Sequence, residues 1–254
     1  MKIARIRTAD GDFYAQLKED GYHLILGNIF EEWGALSDPY EGEVSLLPPV
    51  CPSKVVCLGA NYKKHAEELH LDVLPEPTVF LKPPSSVIAS EENIVYPRSA
   101  TKVDYESELA VVIGRKAHDV KEEDALAYVL GYTAANDVTE RHMQARDGQW
   151  TRAKSFDTFC PLGAYIETDA CPGDLTIIGR RNGEVVQHGH TCDLINSVER
   201  AISFISGIMT LEPGDVILTG TPEGIGELKV GDVFEVEIDG VTLLRNTVIY
   251  EEDA

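Results

Sequence analysis

Positive charge is scarce in this chain. Its 254 residues carry 22 lysines and arginines against 43 aspartates and glutamates, a formal net charge of −21. Such a surface repels DNA, RNA and anionic lipid, so nucleic-acid and membrane roles are excluded from expectation. Long apolar runs are also missing: none approaches the ~18 residues that a membrane helix needs. The basic residues 1–7 are not followed by an apolar core, so no secretory signal is expected. The five cysteines (51, 57, 160, 171 and 192) are odd in number and never form C-x-x-C. They read as reduced thiols of a cytoplasmic protein rather than a disulfide frame. H-E-x-x-H, G-x-S-x-G, the P-loop and the dinucleotide fingerprint are all absent, which leaves no signature for those zinc, serine-nucleophile and nucleotide chemistries. One consequence follows for ligands: a site that takes an anion here must bring its own positive charge, from a metal or from a few lysines and arginines.

What is present is sharper. Glu106 and Glu108 stand one residue apart inside the apolar run Tyr105-Glu-Ser-Glu-Leu-Ala-Val-Val-Ile113. Residues 109–113 read as a buried strand, and a strand aims residues i and i+2 at one face. Two carboxylates buried side by side need a shared cation or proton. Oxygen ligands alone point to a hard ion such as Mg²⁺, Mn²⁺ or Ca²⁺. The alternative is a strand face open to solvent.

The hydrophobic share of 43% and charged share of 26% are those of a globular protein with a full core. Residues 1–47 alternate short apolar stretches with Asp-Gly turns and predict a small antiparallel meander. The proline-rich 47–53 stretch marks a boundary, giving a small N-terminal β domain over 1–50 and a larger unit over 51–254. Within the larger unit, helices are expected over 63–72, 120–130 and 197–208. Most of the rest reads as strands bounded by glycine and proline, without regular βαβ alternation, so the fold class is α+β.

Several other residues can carry chemistry. Asp137 follows the apolar stretch 131–136 and is the best third ligand, with a helix N-cap over 138–145 as the competing role. His65 and Glu68 are spaced i, i+3 and share a face if helical; a carboxylate beside a histidine fixes its tautomer and raises its basicity. Lys154, Arg141 and Gln144 are candidates to stabilise an oxyanion. Thr221 lies in the glycine-containing loop Thr219-Gly-Thr-Pro-Glu-Gly224, whose hydroxyls and N–H groups suit a carboxylate. His188 and His190 form a possible second metal pair, with no third ligand at zinc spacing. For each of these residues an ordinary surface or loop role is the alternative.

Taken together, the segments resemble the fumarylacetoacetate hydrolase family from about Cys57 to Val248. The motifs are Gly59-Ala-Asn-Tyr-Lys-Lys-His-Ala-Glu-Glu, Phe80-Leu-Lys-Pro83, Asp104-Tyr-Glu-Ser-Glu-Leu-Ala-Val-Val-Ile-Gly114, Gly131-Tyr-Thr-Ala-Ala-Asn-Asp-Val-Thr-Glu-Arg-His-Met-Gln144, Ala153-Lys-Ser-Phe-Asp157 and Leu218-Thr-Gly-Thr-Pro-Glu-Gly224, in the family's order. The resemblance implies a rolled mixed β-sheet with flanking helices, usually assembled as a homodimer. It implies Glu106, Glu108 and Asp137 as ligands of Mg²⁺ or Mn²⁺ (Ca²⁺ in a crystal), and His65, Glu68 and Lys154 as catalytic groups. Arg141, Gln144, Thr221 and Lys82 are implied to bind substrate. The expected activity is metal-dependent hydrolysis of a C–C bond in acylpyruvate-type 2-oxo acids through an enolate. The alternatives are 2-hydroxyhepta-2,4-diene-1,7-dioate isomerisation or oxaloacetate decarboxylation in aromatic-acid breakdown, and, more remotely, a non-catalytic metal- or ligand-binding role. Residues 61–76 are expected to act as a lid over the site. One departure is Gly189-His190-Thr191, where many relatives read Asn-Thr after a glycine or serine.

Overall fold

The computed structural model describes residues 1–253. An eleven-stranded sheet dominates it. From one edge the order is Trp33–Ala35, Gly21–Gly27, Gly11–Lys18, Lys2–Thr8, Ile166–Glu167, Val129–Asn136, Ser107–Ile113, Val216–Leu218, Val55–Gly59 and Thr78–Lys82, with Ser45–Leu47 added on the first strand of the chain. The N-terminal meander therefore continues the main sheet, joined where Lys2 and Ile3 pair with Glu167 and Ile166. A five-stranded sheet packs against this one, ordered Glu184–His190, Thr176–Arg181, Val233–Ile238, Thr242–Tyr250 and Asn93–Tyr96. Pairing is mixed: most neighbours are antiparallel, but Val216–Leu218 runs parallel to Val55–Gly59 and Thr242–Tyr250 runs parallel to Asn93–Tyr96. The fold is α+β, as the sequence predicts. Among the described residues, no helix is long and apolar enough to cross a membrane.

The strand Ser107–Ile113 is buried along its whole length, because its two faces feed two different cores. Leu109, Val111 and Ile113 enter the large cluster between the sheets, whereas Ala110 and Val112 join Val55, Cys57, Ala135, Cys160, Leu162 and Leu218 in a smaller one. Alternation along a strand makes this division. Glu106 and Glu108 share the parity of Ala110 and Val112, so they cap the end of the smaller core. The helix Val198–Ile208 buries Val198, Ala201, Ile202 and Ile205 on one face, and the Ser197 side chain caps it by accepting from the Arg200 amide.

Two predicted helices are shorter or different. The first ends at Glu68, and His70 takes a φ of 54°. A side chain at positive φ cannot continue a right-handed helix. Residues 122–128 form a 3₁₀ segment and Val129 begins a strand. Apolar residues three apart serve a 3₁₀ turn as well as an α-helix, and β-branched Val129 favours the sheet.

Candidate metal centre and active site

Register builds the site. In the antiparallel pairing of Ser107–Ile113 with Val129–Asn136, Ser107 lies opposite Asn136. The next residues, Glu106 and Asp137, are tied by a 2.9 Å bond from the Asp137 amide to the Glu106 carbonyl. Glu106, Glu108 and Asp137 consequently bring one carboxylate oxygen each within 4.8 Å of one another, all three residues being buried. The N-cap alternative for Asp137 is set aside: the helix Arg141–Asp147 is capped by Glu140, which accepts from the Met143 amide.

Built-in cations surround two of the three carboxylates. Lys154 donates to Glu106 Oε2 at 2.8 Å and to Asp137 Oδ2 at 2.6 Å. Arg141 pairs with Glu106 and, through Nε, with Asp104 at 2.8 Å; its Nη1 donates to Gln144 at 2.9 Å. Burial opposes the charge on Glu106, but Arg141, Lys154 and His65 outweigh it and hold its carboxyl well below the usual carboxylate range. Burial likewise works against the Lys154 ammonium, and Asp137 and Glu106 overcome it, so this lysine stays a fixed charge.

Glu108 differs. Among the described residues it makes no ion pair; its Oε2 accepts from the Gly220 amide at 2.6 Å. Burial, then Asp137 and Glu106, push its carboxyl well above the ordinary range. A buried carboxylate facing two others, with no cation of its own, fits a donor set that completes itself with a divalent ion. The three residues nominated from the sequence thus form one cluster that could hold a divalent ion.

Glu106 and Glu108 open on a narrow cleft lined by Gly59, His65, Leu69, Leu71, Phe80, Arg141, Gln144, Trp150, Lys154 and Thr221, among others. A wider hollow of about 500 Å³ adjoins it, sharing Leu69, Leu71, Arg141, Gln144 and Trp150 and adding Lys102, Asp104 and Ile225. His65 Nδ1 lies 3.3 Å from Glu68 Oε2, and Glu68 also accepts from the Gly224 amide at 3.2 Å. The short helix Lys63–Glu68 therefore leans on the 219–224 loop, with the residues that follow it, Leu69 and Leu71, forming part of the cleft wall.

Lys82 is placed differently from the sequence expectation. Its ammonium is fully buried, donating to Asp137 Oδ1 at 2.5 Å and to the Val138 carbonyl at 3.1 Å. It sits behind Asp137 as a counter-ion and does not line the cleft. His188 and His190 also stay apart from any ligand cluster. His188 is exposed, and His190 accepts from the Cys192 amide at 3.2 Å while its Nε2 faces Asp174.

Sequence reasoning passed over four contributors. Trp150 covers the site edge-on to Phe80, with ring centroids 5.2 Å apart, and approaches so closely that a Cβ on Gly59 would lie 2.6 Å from its ring. Buried Asn61 makes four bonds, to Asn196 and to the Thr219 carbonyl, and bolts the loop that carries Thr221. Asp104 orients Arg141. Gln187 links that loop to the Ser107 amide. Of these, only Asn61 carried a local signal, a polar residue directly after Gly59-Ala60 at a strand end.

A buried tri-carboxylate cluster that could hold a divalent ion, with its own lysine and arginine, stands at the end of a mixed sheet beside a histidine–glutamate pair. The chain belongs to the fumarylacetoacetate hydrolase family: residues 54–249 match the model described as fumarylacetoacetate (FAA) hydrolase C-terminal. Human mitochondrial oxaloacetate tautomerase is 44% identical over 220 residues, 82% of this chain and 70% of that one. Among solved structures, 5-carboxymethyl-2-hydroxymuconate delta-isomerase from Mycobacterium smegmatis superposes with a TM-score of 0.92 at 39% identity, covering 99% of this chain and 100% of that one. The 2-hydroxyhepta-2,4-diene-1,7-dioate isomerase from Mycobacterium marinum gives a TM-score of 0.90 at 39% identity and 99% coverage of both.

Proposed function

We propose that the protein is a Mg²⁺- or Mn²⁺-dependent enzyme that moves a proton at the carbon beside the carbonyl of a 2-oxo acid, interconverting keto and enol or shifting a double bond. The observation that carries this reading is Glu108, a buried carboxylate without a cation, in a cleft shared with Lys154 and His65. A divalent ion held by Glu106, Glu108 and Asp137 would supply a Lewis acid for the substrate carbonyl. The chain's own groups do the rest. Lys154 stays protonated beside Glu106 and Asp137, so it serves as a fixed positive charge near the developing oxyanion and not as a base. Glu68 takes the Nδ1–H of His65, which leaves Nε2 as the ring nitrogen able to accept or return a proton. Closure of residues 61–76, which bring Leu69 and Leu71 to the cleft wall, would exclude bulk water. The names of the relatives, a tautomerase and two isomerases, support proton transfer as the net reaction.

Hydrolysis of acylpyruvates is the second reading, favoured by the same His65–Glu68 pair acting on water instead of on carbon. One experiment separates the readings. Metal-loaded protein is incubated in D₂O with oxaloacetate, acetylpyruvate, fumarylpyruvate and 2-hydroxyhepta-2,4-diene-1,7-dioate, and deuterium uptake and products are followed by NMR. Uptake at C3, or at C5 of the diene when its double bond shifts, without C–C cleavage is expected. Release of pyruvate with a free acid would establish the hydrolase, in which His65→Ala should cost about 10²–10⁴-fold. No uptake and no cleavage above the metal-only background would end both readings.

A further inference from the structure

Gln187 belongs to the Glu184–His190 strand of the five-stranded sheet, not to any element that supplies a carboxylate to the metal centre. It is buried, and its carboxamide reaches across to the site. Oε1 accepts from the Ser107 amide at 2.9 Å, between the two glutamates in sequence. Nε2 donates to the Pro222 carbonyl at 2.9 Å and to Thr221 Oγ1 at 2.9 Å. The two ends of a glutamine amide are often interchangeable. Here they are not, because the Ser107 N–H can only donate and the Pro222 carbonyl can only accept. Nε2 therefore faces Thr221, and the threonine oxygen must accept.

A hydroxyl has a single proton to give. That of Thr221 cannot point at Nε2, and Oγ1 donates to no protein acceptor among the described residues. Thr221 lines the cleft with Glu106, Glu108 and Lys154. We infer that Gln187 is a positioning residue that makes Thr221 an obligate hydrogen-bond donor to the ligand, so that this wall of the cleft takes an ionised carboxylate and disfavours a group that must itself donate. The inference rests on the 2-oxo acid reading above, and it names the end of the substrate that Thr221 holds. The rigidity of the loop supports it. Asn61 fixes the Thr219 carbonyl, the Gly220 amide is held by Glu108, and Gln187 fixes Pro222, so the hydroxyl cannot escape by moving the backbone.

The test uses calorimetric titration of oxalate into Mn²⁺-loaded full-length protein, with Mn²⁺ affinity measured separately by electron paramagnetic resonance of the free ion. Thr221→Val should weaken oxalate binding by about tenfold or more, the usual worth of a hydrogen bond to a charged group. Thr221→Ser should bind close to the original. Gln187→Met should weaken oxalate by about three- to tenfold, and should add nothing further in a Thr221→Val background. Gln187→Glu gives a second route if the methionine variant does not fold: it keeps an acceptor for Ser107 but offers Thr221 another, draws the hydroxyl proton out of the cleft and should match Thr221→Val. Mn²⁺ affinity should stay within about twofold throughout. Unchanged oxalate binding in Gln187→Met, additional loss in the Thr221→Val background, or weakened Mn²⁺ binding would each overturn the inference and leave Gln187 a structural tie. An original protein that binds Mn²⁺ but not oxalate would instead refute the 2-oxo acid reading, and the role assigned to Gln187 with it.

Discussion

Glu106, just before the strand Ser107–Ile113, and Glu108, within it, reach the same carboxylate cluster and have opposite electrostatics. Glu106 sits between Arg141 and Lys154 and is held ionised. Glu108 has a single backbone amide and is pushed toward its neutral form. Two residues of one type, two positions apart, thus divide the work. One is satisfied by the protein's own cations, while the other has only a backbone amide among the described residues. A centre neutralised throughout by its own cations would have little need of a metal. A centre with no cations would be costly to fold without one.

The largest effects expected of this contrast are opposite in sign. In metal-free protein at neutral pH, Glu106→Gln should lower stability by about 3–5 kcal/mol, because it strips a buried partner from Lys154 and Arg141. Glu108→Gln should raise it by about 1–3 kcal/mol, because it removes the cost of holding a buried carboxyl against its ionisation and leaves an amide oxygen for Gly220. Both should weaken Mn²⁺ by at least about 10²-fold, more than the loss of an outer support group. Denaturant melts and metal titrations on the pair decide it, and two melts shifted in the same direction would break the comparison.

Lys154→Ala sharpens the same point from the cation side. Metal should remain bound, since no oxygen ligand is lost, yet kcat should fall by about 10²–10³-fold for want of a charge near the oxyanion. Metal-free stability should drop toward that of Glu106→Gln. A variant that turns over normally would reduce Lys154 to a structural ion pair.

Protons give a third and smaller readout. The Glu108 pKa is raised in the folded state above the 4.5 of a free glutamate. Between that value and its raised pKa the native state holds a proton that the unfolded chain has released. Metal-free stability should therefore decline as pH rises through this window. Glu106 acts in the other window: its pKa is lowered, so its contribution is present above 4.5 and lost as pH falls through the depressed value. Metal displaces the Glu108 proton, so binding should strengthen with pH and release about one proton below the raised pKa. Calorimetry in buffers of different ionisation enthalpy counts that proton, and Glu108→Gln should abolish it. Equal release in both proteins would assign it elsewhere.

How much of this was legible beforehand follows the range of the interactions. The paired glutamates announce themselves because polarity and two-residue spacing are local properties of one strand. The helix Val198–Ile208 was legible for the same reason, from the spacing of its apolar face. Asp137 could be nominated from its place after an apolar stretch, but what puts it beside Glu106 is the pairing of Ser107 with Asn136, a register that nothing local encodes. Lys82 was misjudged because Phe80-Leu-Lys-Pro83 carries no sign that its lysine turns inward under Asp137. Gln187 and Trp150 come from distant elements and enter the site only through sheet packing and ring stacking. The 120–130 stretch failed differently: its spacing suited two kinds of helix, and the tertiary sheet claimed Val129.

The smallest expected effect concerns the one hydrogen bond that the Glu108 carboxylate receives among the described residues. Gly220 has a φ of +94°, in the left-handed region, and a Cβ there would stand 2.8 Å from Asn61 Cβ, which cannot swing aside. Glycine is required on both counts, and the outcome is an amide aimed at Glu108. Gly220→Ala should cost about 2 kcal/mol, from backbone conformation and crowding together. Its more telling consequence is at the metal. If the amide turns Glu108 toward the ion, its displacement should weaken Mn²⁺ by about three- to tenfold and push the Glu108 pKa higher still, so proton release should extend to higher pH. The same loss of stability with unchanged Mn²⁺ affinity would mean that Glu108 finds the ion unaided. The division between the two glutamates would then rest on Arg141 and Lys154 alone.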